Sequence, residues 1–306
     1  MKKNRRVTVQ VPASTSNLGP GFDCLGLALS LYNELTLEEL PERGESIVEI
    51  EGEGAATLPR DPENLIVKAA NAVLGGKEHG RLVFRAVNRI PLARGLGSSA
   101  AAIVSGLMAA NELYKPSPLT PRDLFQYAAT LEGHPDNAAP AVFGGLTVTV
   151  KQHKAVEAFP LKVHKNLCVV VCIPEFELAT SKARGVLPNT VLREQAVDNI
   201  SRTALLTAAL ERGLWSALSE ATKDFIHQPH RAALVPGLDE VLAAARGAGE
   251  CGAALSGSGP TIAAFCRKGP AAKAIGAAMQ TGFSRRGIKS SFQVLSVDLK
   301  GARVIG

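Results

Sequence analysis

Aromatic residues are scarce in this chain, with ten Phe, three Tyr and one Trp making up 5% of 306 residues. The basic residues are dispersed as well. No stacking platform for a single strand and no recognition helix can be read, so nucleic acid is not an expected partner. The net charge of +6 then either coats the surface or serves a small anionic ligand, and the second is the functional reading. Long hydrophobic runs are missing too. Stretches such as LCVVVCI, Leu167 to Ile173, fall far below the roughly 20 apolar residues that cross a bilayer. The basic start MKKNRR is followed by no signal-peptide core, so a cytoplasmic protein without a membrane partner is expected. Cysteines are few and none forms a CxxC pair: Cys24, Cys168, Cys172, Cys251 and Cys266. An odd, scattered set reads as free, mostly buried thiols in a reducing compartment. Cys168 and Cys172 share one face of a strand-like run, but no His or Cys cluster joins them, which argues against a metal site. Internal repeats and low-complexity segments are absent.

What is present is the balance of a globular protein, 46% hydrophobic and 20% charged, with enough length for one large core or two modest ones. Alternation predicts strands at Val7 to Val11, Ile47 to Glu51, Leu82 to Val87 and Leu146 to Val150. Helical spacing predicts helices at Asn64 to Leu74 and at Ser98 to Tyr114, the latter with Ala100, Ile103, Val104, Leu107 and Met108 on one stripe. A third helix opens at Thr120 with a cap residue, a proline and an acid in its first turn, and Gly133 is placed to end it. In the second half a buried strand at Leu167 to Ile173 precedes helices at Gln195 to Glu211, Leu214 to Ile226 and Leu238 to Ala248. A strand at Thr261 to Cys266, a helix near Ala271 to Gln280 and a strand at Phe292 to Leu299 complete the reading. Interleaved strands and helices argue α+β or α/β. The charged, weakly patterned stretch Lys151 to Lys165 suggests a boundary, dividing the chain into residues 1–155 and 156–306.

Glycine is the residue that clusters. In PLARGLGSSAA, Pro91 to Ala101, the chain passes from a strand through Gly95, Gly97, Ser98 and Ser99 into a helix. Glycines let the backbone approach a ligand, and the helix start offers unpaired N–H groups and a positive dipole end. The two serines add hydroxyls, one of which could also ligate Mg²⁺. The spacing is not that of a Walker A loop. By itself this string is about as compatible with a structural turn as with an anion site.

Company elsewhere shifts that balance. PASTSNLGPGFDCLGLAL (Pro12 to Leu29), PLARGLGSSAA and GAALSGSGPTIAAF (Gly252 to Phe265) stand in the order found in the GHMP kinases. That family is named for galactokinase, homoserine kinase, mevalonate kinase and phosphomevalonate kinase. The chain resembles this family over almost its whole length. The first segment, together with EGHPDNAAPAVFGG (Glu132 to Gly145), is most similar to its homoserine kinase branch. The resemblance implies an α+β, two-domain GHMP kinase fold, with a ribosomal protein S5 domain 2-like N-terminal domain and a ferredoxin-like C-terminal domain. It implies ATP and Mg²⁺, L-homoserine as acceptor, O-phospho-L-homoserine as product in threonine biosynthesis, and a homodimer.

Residue by residue, it implies a phosphate loop of Pro91, Leu92, Ala93, Arg94, Gly95, Leu96, Gly97, Ser98, Ser99, Ala100 and Ala101. It implies Asn17, Asp23 and His134 at the amino acid and Asn137 near the transferred phosphoryl group. Arg184 and Arg231 match a carboxylate clamp, a task that suits the planar guanidinium fork. Asp23 suits a substrate ammonium. Asp136 divides equally between a role in the site and an Asx-type turn after proline. The metal set is Ser98 and Glu132; the position eight residues before His134, where relatives carry Glu, holds Gln126. Several relatives end the middle segment on Asp, which can take the hydroxyl proton. Asn137 cannot, so no dedicated carboxylate base is expected and a γ-phosphate oxygen accepts the proton. The loop Ser256 to Gly259 closes a site or is only a tight turn. Two other readings remain: a family kinase acting on mevalonate or a related alcohol, and a nucleotide-binding regulator without chemistry.

Overall fold

The computed structural model describes residues 5–76, 79–114, 118–153 and 155–306; the start of the basic MKKNRR segment, at 1–4, lies outside them. The first half runs β1 (Arg5–Asn17), β2 (Gly21–Leu40), β3 (Ile47–Gly52), α1 (Leu65–Leu74), β4 (Arg81–Asn88), α2 (Ser98–Leu113), α3 (Pro121–Glu132), α4 (Pro135–Phe143), β5 (Leu146–Gln152) and β6 (Ala155–Leu161). The second runs β7 (Leu167–Pro174), α5 (Thr180–Gly185), α6 (Arg193–Arg212), α7 (Leu218–Ala221), α8 (Gln228–Arg231), α9 (Leu238–Ala248), β8 (Cys251–Leu255), β9 (Ile262–Arg267), α10 (Ala271–Ser284), β10 (Ser290–Ser296) and β11 (Arg303–Val304).

The first sheet has the order β11-β1-β2-β4-β3, with β5 joining β2 and β6 joining β5. The second is antiparallel in the order β10-β7-β9-β8, each strand of the second half except β11. In the succession of that half this is fourth, first, third, second, in a β-α-β-β-α-β arrangement, the ferredoxin-like pattern. The buried run of β7 has a simple cause. Val169, Val171 and Ile173 enter one core, which they share with α2, α4 and α6, while Cys168, Val170 and Cys172 enter another, beneath α9 and α10. A strand clamped between two cores has no polar face to show.

Several elements differ from expectation. β2, twenty residues long, went unread because it opens on glycines, although its second half alternates: Leu35 and Leu37 are buried while Glu34, Thr36 and Glu38 face outward. β6, in the weakly patterned stretch from Lys151 to Lys165, is a strand that pairs with β5. β8 was also unread. The helix expected at Leu214 to Ile226 is a 3₁₀ turn at Trp215–Ala217 followed by the short α7. Asp224 ends it, its carboxylate accepting from the backbone N–H groups of Ile226, His227 and Gln228 (3.2, 3.0 and 2.6 Å), a local competitor to helical bonding. His134, Asp136 and Asn137, expected in a loop after a helix, begin a new one. Gly133, at φ 75°, closes α3, and Pro135 sits in the first turn of α4. Asp136 is therefore a buried helical residue and not an Asx turn. Cys168 Sγ lies 3.5 Å from Cys266 Sγ on the neighbouring strand, and no helix among the described residues is long and apolar enough to cross a membrane.

Candidate active site

One cleft of about 660 Å³ gathers the three glycine segments. One side of it begins where β4 ends. Asn33 accepts from the N–H groups of Arg89 and Ile90 (2.8 and 2.9 Å) and fixes the exit of that strand. The loop then runs to Gly97, a left-handed N-cap at φ 69° whose helix, α2, has no side-chain cap. The first N–H groups of α2 are thus left without a side-chain cap, the condition under which a helix start can take an anion. The glycines do more than admit a ligand. A Cβ on Gly97 would lie 2.0 Å from Ser14 Oγ, and one on Gly95 (φ 73°) would lie 2.2 Å from the Ser256 carbonyl oxygen. These positions are glycine because the N-terminal and C-terminal segments press against them. Ser14 N–H donates to the Leu96 carbonyl (3.1 Å), and Ser256 Oγ donates to that of Gly95 (2.6 Å).

Of the eleven expected loop residues, Pro91, Ala93, Arg94, Gly95, Leu96, Gly97, Ser98 and Ser99 line the cleft. Ala100 and Ala101 are fully buried core residues of α2, and Leu92 faces a neighbouring apolar pocket. The Arg94 guanidinium donates to the carbonyls of Pro174 and Glu175 (2.8 and 2.7 Å), tying the loop to the end of β7.

The other side begins at an irregularity in β1–β2 pairing between Ser16 and Asn17. Irregular pairing re-aims side chains, and here both Asn17 (φ 68°) and Asp23 (φ 56°) take the left-handed region, which Asn and Asp tolerate best. Asn17 Oδ1 accepts from Asp23 N–H (3.0 Å) and its Nδ2 donates to the Gly257 carbonyl (2.9 Å), so it clasps two segments and keeps one amide hydrogen. Asp23 receives both terminal nitrogens of Arg184, at 2.6 and 3.1 Å. Arg231 is 1% exposed yet reaches the cleft, held by the carbonyls of Ala183 and Gly257 (both 3.1 Å) and by His227. His134 and Asp136 complete this wall with Asn137, whose Oδ1 accepts from Ser14 and whose Nδ2 donates to Ser16, each at 3.0 Å. Gly257 and Ser258 line the cleft from the Ser256 to Gly259 loop.

Burial dominates the electrostatics. It pushes Asp136 up to about 6, aided by the nearby negative charge of Asp23. Glu132 is pushed up to about 7, chiefly by burial and against the hydroxyl of Ser99, which donates to it at 2.6 Å. His134 is lowered by burial and then by the Arg184 charge, so it is neutral at pH 7. Arg231 is lowered to about 10, first by burial and then by Arg184, and stays charged. Gln126 does not reach the cleft; its amide donates to the Val156 carbonyl on β6 (2.5 Å), whereas Glu132 lines it.

Sequence reasoning passed over Ser14, Ser16, Phe22, Thr180 and His227. His227 carried a signal, standing one helical turn before Arg231. The buried serines carried almost none, because a hydroxyl on a strand is unremarkable until its partner is known.

The chain matches the model of the GHMP kinases N terminal domain over residues 64–145 and that of the GHMP kinases C terminal domain over residues 206–285. The chain belongs to the GHMP kinase family. This GHMP kinase is 47% identical to the homoserine kinase of Moorella thermoacetica over 301 residues, 97% of this chain and 99% of the relative. It is 42% identical to that of Nostoc punctiforme, over 97% of each chain. Among solved structures, the homoserine kinase of Cytophaga hutchinsonii superposes with a TM-score of 0.90 at 32% identity, covering 100% of this chain and 98% of the other. The mevalonate kinase of L. major shares the fold at a TM-score of 0.71 and 17% identity, over 98% and 97%.

Proposed function

We propose that this GHMP kinase transfers the γ-phosphoryl group of ATP to the δ-hydroxyl of L-homoserine, giving O-phospho-L-homoserine for threonine biosynthesis. One observation carries the reading: a helix start with open N–H groups faces a wall bearing both a carboxylate, Asp23, and two guanidiniums, Arg184 and Arg231, in a single cleft. That wall suits a zwitterion. A simple hydroxy acid such as mevalonate has no ammonium for Asp23. The names of the relatives point to the same acceptor.

Phosphoryl transfer needs positioning and charge neutralisation more than covalent chemistry. The loop from Gly95 to Ser99 holds the ATP phosphates. The adenosine lies in the adjoining pocket of about 760 Å³, where Ile50, Leu58, Leu65 and Leu92 supply apolar surface and which shares Ala93, Ser98 and Ser99 with the cleft. The substrate ammonium meets Asp23, and its carboxylate meets Arg231 and Arg184. Asn17 offers its remaining amide hydrogen, and neutral His134 orients the amino acid. Asn137, its amide fixed by Ser14 and Ser16, sits beside the transferred group.

The donor set fits Mg²⁺. Among the described residues no group of three His, Cys, Asp or Glu exists to hold a metal, and Mg²⁺ in kinases commonly takes one or two carboxylates and completes its shell with phosphate oxygens and water. Glu132, whose carboxylate accepts from Ser99 and has no basic partner among the described residues, and the hydroxyl of Ser98 would be the protein's contribution. When bound, the ion supplies neutralisation of phosphate charge.

A γ-phosphate oxygen accepts the hydroxyl proton, since Asn137 is an amide. A second reading has one observation in its favour: Asp136 lines the cleft, and a pKa of about 6 suits a general base. Asp136→Asn separates them. A loss in kcat above about a thousandfold, with the fold unchanged, assigns the base to Asp136. The function itself is tested by ADP release with Mg-ATP and a panel of alcohols. Homoserine-dependent ADP is expected; release with mevalonate alone, or ATP binding without turnover on any alcohol, overturns the reading.

The division into residues 1–155 and 156–306 belongs to this reading. Two separate sheets and two family models support it, although β6 and β11 of the second portion pair into the first sheet. So do a cytoplasmic location, supported by five free thiols, and a homodimer, which sedimentation of the purified protein checks.

A further inference from the structure

His227 has no part in the mechanism above, yet it is fully buried against a residue that does. It stands at the N-cap of α8, one turn before Arg231, and its two ring nitrogens have opposite partners. Arg231 Nη1 lies 3.2 Å from Nδ1, and the Gly19 carbonyl lies 2.8 Å from Nε2. Guanidinium only donates and a carbonyl only accepts. Nδ1 must therefore carry the lone pair and Nε2 the proton, so the imidazole is neutral with a single tautomer. Burial is the main cause that holds its pKa down. Asp224, 3.5 Å from Nε2, does not compete for the proton, because its oxygens already accept from Asn199 and from the backbone of 226–228.

The other contacts of Arg231 give this bond its meaning. Its Nε–H goes to the Ala183 carbonyl, and Nη1 divides its two hydrogens between His227 and the Gly257 carbonyl. Among the described residues Nη2 has no acceptor, and Arg231 lines the cleft. Three fixed acceptors thus turn the planar group so that Nη2 is left for a ligand. Phe22 supports the arrangement from one side, stacked on His227 at 5.0 Å and lying beneath both Arg231 (5.4 Å) and Arg184 (5.7 Å).

We propose that His227 is a positioning residue for acceptor selectivity: as a neutral acceptor at Nδ1, anchored by Gly19 at Nε2, it orients Arg231 so that the Nη2 edge meets the substrate carboxylate. The proposal rests on the reading that Arg231 takes that carboxylate. Its effect is confined to substrates that carry one. His227→Leu removes the acceptor, and the freed guanidinium can rotate. His227→Gln keeps both an acceptor and a donor on one side chain.

The test uses the full chain with Mg-ATP and two acceptors, homoserine and 3-amino-1-propanol, which is homoserine without its carboxylate. Loss of one partner to a charged donor corresponds to about a tenfold to hundredfold change. For His227→Leu the homoserine KM is expected to rise by about that factor, with the ATP KM unchanged. The kcat/KM preference for homoserine over the amino alcohol falls correspondingly, and His227→Gln restores most of it. If the Leu variant does not fold, the same preference is read from His227→Asn against His227→Gln. An unchanged preference in the Leu or Asn variant overturns the proposal, as does an equal rise in both KM values that Gln does not rescue. Arg231→Lys keeps the failures apart. If it leaves the preference unchanged, the carboxylate reading itself fails; if it lowers the preference while His227→Leu does not, only the role of His227 fails.

Discussion

The wall of the cleft proposed to hold phosphate is one continuous run, residues 91–99, leaving β4 and entering α2. The wall proposed to hold the acceptor is assembled from five pieces of chain, which bring Asn17 and Asp23, His134 to Asn137, Arg184, Arg231, and Gly257 with Ser258. The first wall presents backbone N–H groups, so it depends on conformation and on the absence of Cβ atoms. The second presents charges, each already committed to a protein partner: Asp23 to Arg184, Arg231 to carbonyls and an imidazole. Damage to the first should therefore act on phosphate geometry and on the contact between segments together. Damage to the second should act on acceptor affinity, and should leave ATP alone.

Gly97→Ala strikes the first wall hardest, because the new methyl meets Ser14 Oγ in a left-handed conformation. We expect kcat/KM to fall by about a hundredfold or more, since a shift of about 1 Å is enough for that. The melting temperature should fall too, with about 1–3 kcal/mol of stability lost to backbone strain and steric conflict. Full activity with an unchanged melt would break the claim that this wall is conformational.

Asp23→Asn removes the charge that holds Arg184. The homoserine KM should rise by about tenfold to a hundredfold while the ATP KM stays as it is. Steady-state kinetics with each substrate varied in turn checks this, and a parallel rise for ATP would erase the distinction between the walls.

Asp136 sharpens the comparison through stability. Its carboxyl titrates at about 6 in the fold against 3.8 for the free group, so the folded state binds its proton more tightly than the unfolded chain does. Stability from this residue is fully present below pH 3.8 and is lost as pH rises through about 6. Asp136→Asn should therefore melt higher than the parent protein at pH 8, by an amount of order 1–3 kcal/mol, and lose about half of that advantage by pH 5 and most of it by about pH 4. A thermal melt series that shows no such pH dependence would mean that burial in this wall does not penalise the Asp136 carboxylate.

Arg94→Met should have the smallest effect. Its guanidinium is engaged by two backbone carbonyls, so only loop rigidity is lost. The ATP KM is expected to rise by about threefold to tenfold, the range of one ordinary hydrogen bond. A rise of about a hundredfold, measured by nucleotide titration, would mean that Arg94 holds phosphate directly and that this wall, too, works by side-chain charge.

The same contrast explains what could be read in advance. Strands with alternation, such as β4, and helices with a cap or a stripe, such as α3 with Thr120 and Gly133, appear in the structure within a residue or two. β2 opens on glycine and buries both faces of its first half, so period-two patterning is absent where it would have been sought. α4 carries Pro140 within it and glycines behind it, and those read as loop. The position of Gln126 relative to His134 suggested a missing acid, but spacing along a chain does not say which way a helical side chain points. Gln126 turns to β6, and Glu132 turns to Ser99.

The amino-acid sequence by itself determined the family, the glycine loop between β4 and α2 and most regular elements, because periodicity, caps and glycine runs act over a few residues. Only the tertiary structure decided how Asn17, Asp23, His134, Arg184 and Arg231, named from the resemblance, meet in one wall and which protein groups hold them. The pairing of Asp23 with Arg184 spans 161 positions, and the bond from Asn17 to Gly257 spans 240. The contact of His227 with the Gly19 carbonyl spans 208. Such contacts leave no local pattern. They form only when two cores, folded around β7, bring distant glycine segments close enough that a Cβ would not fit between them.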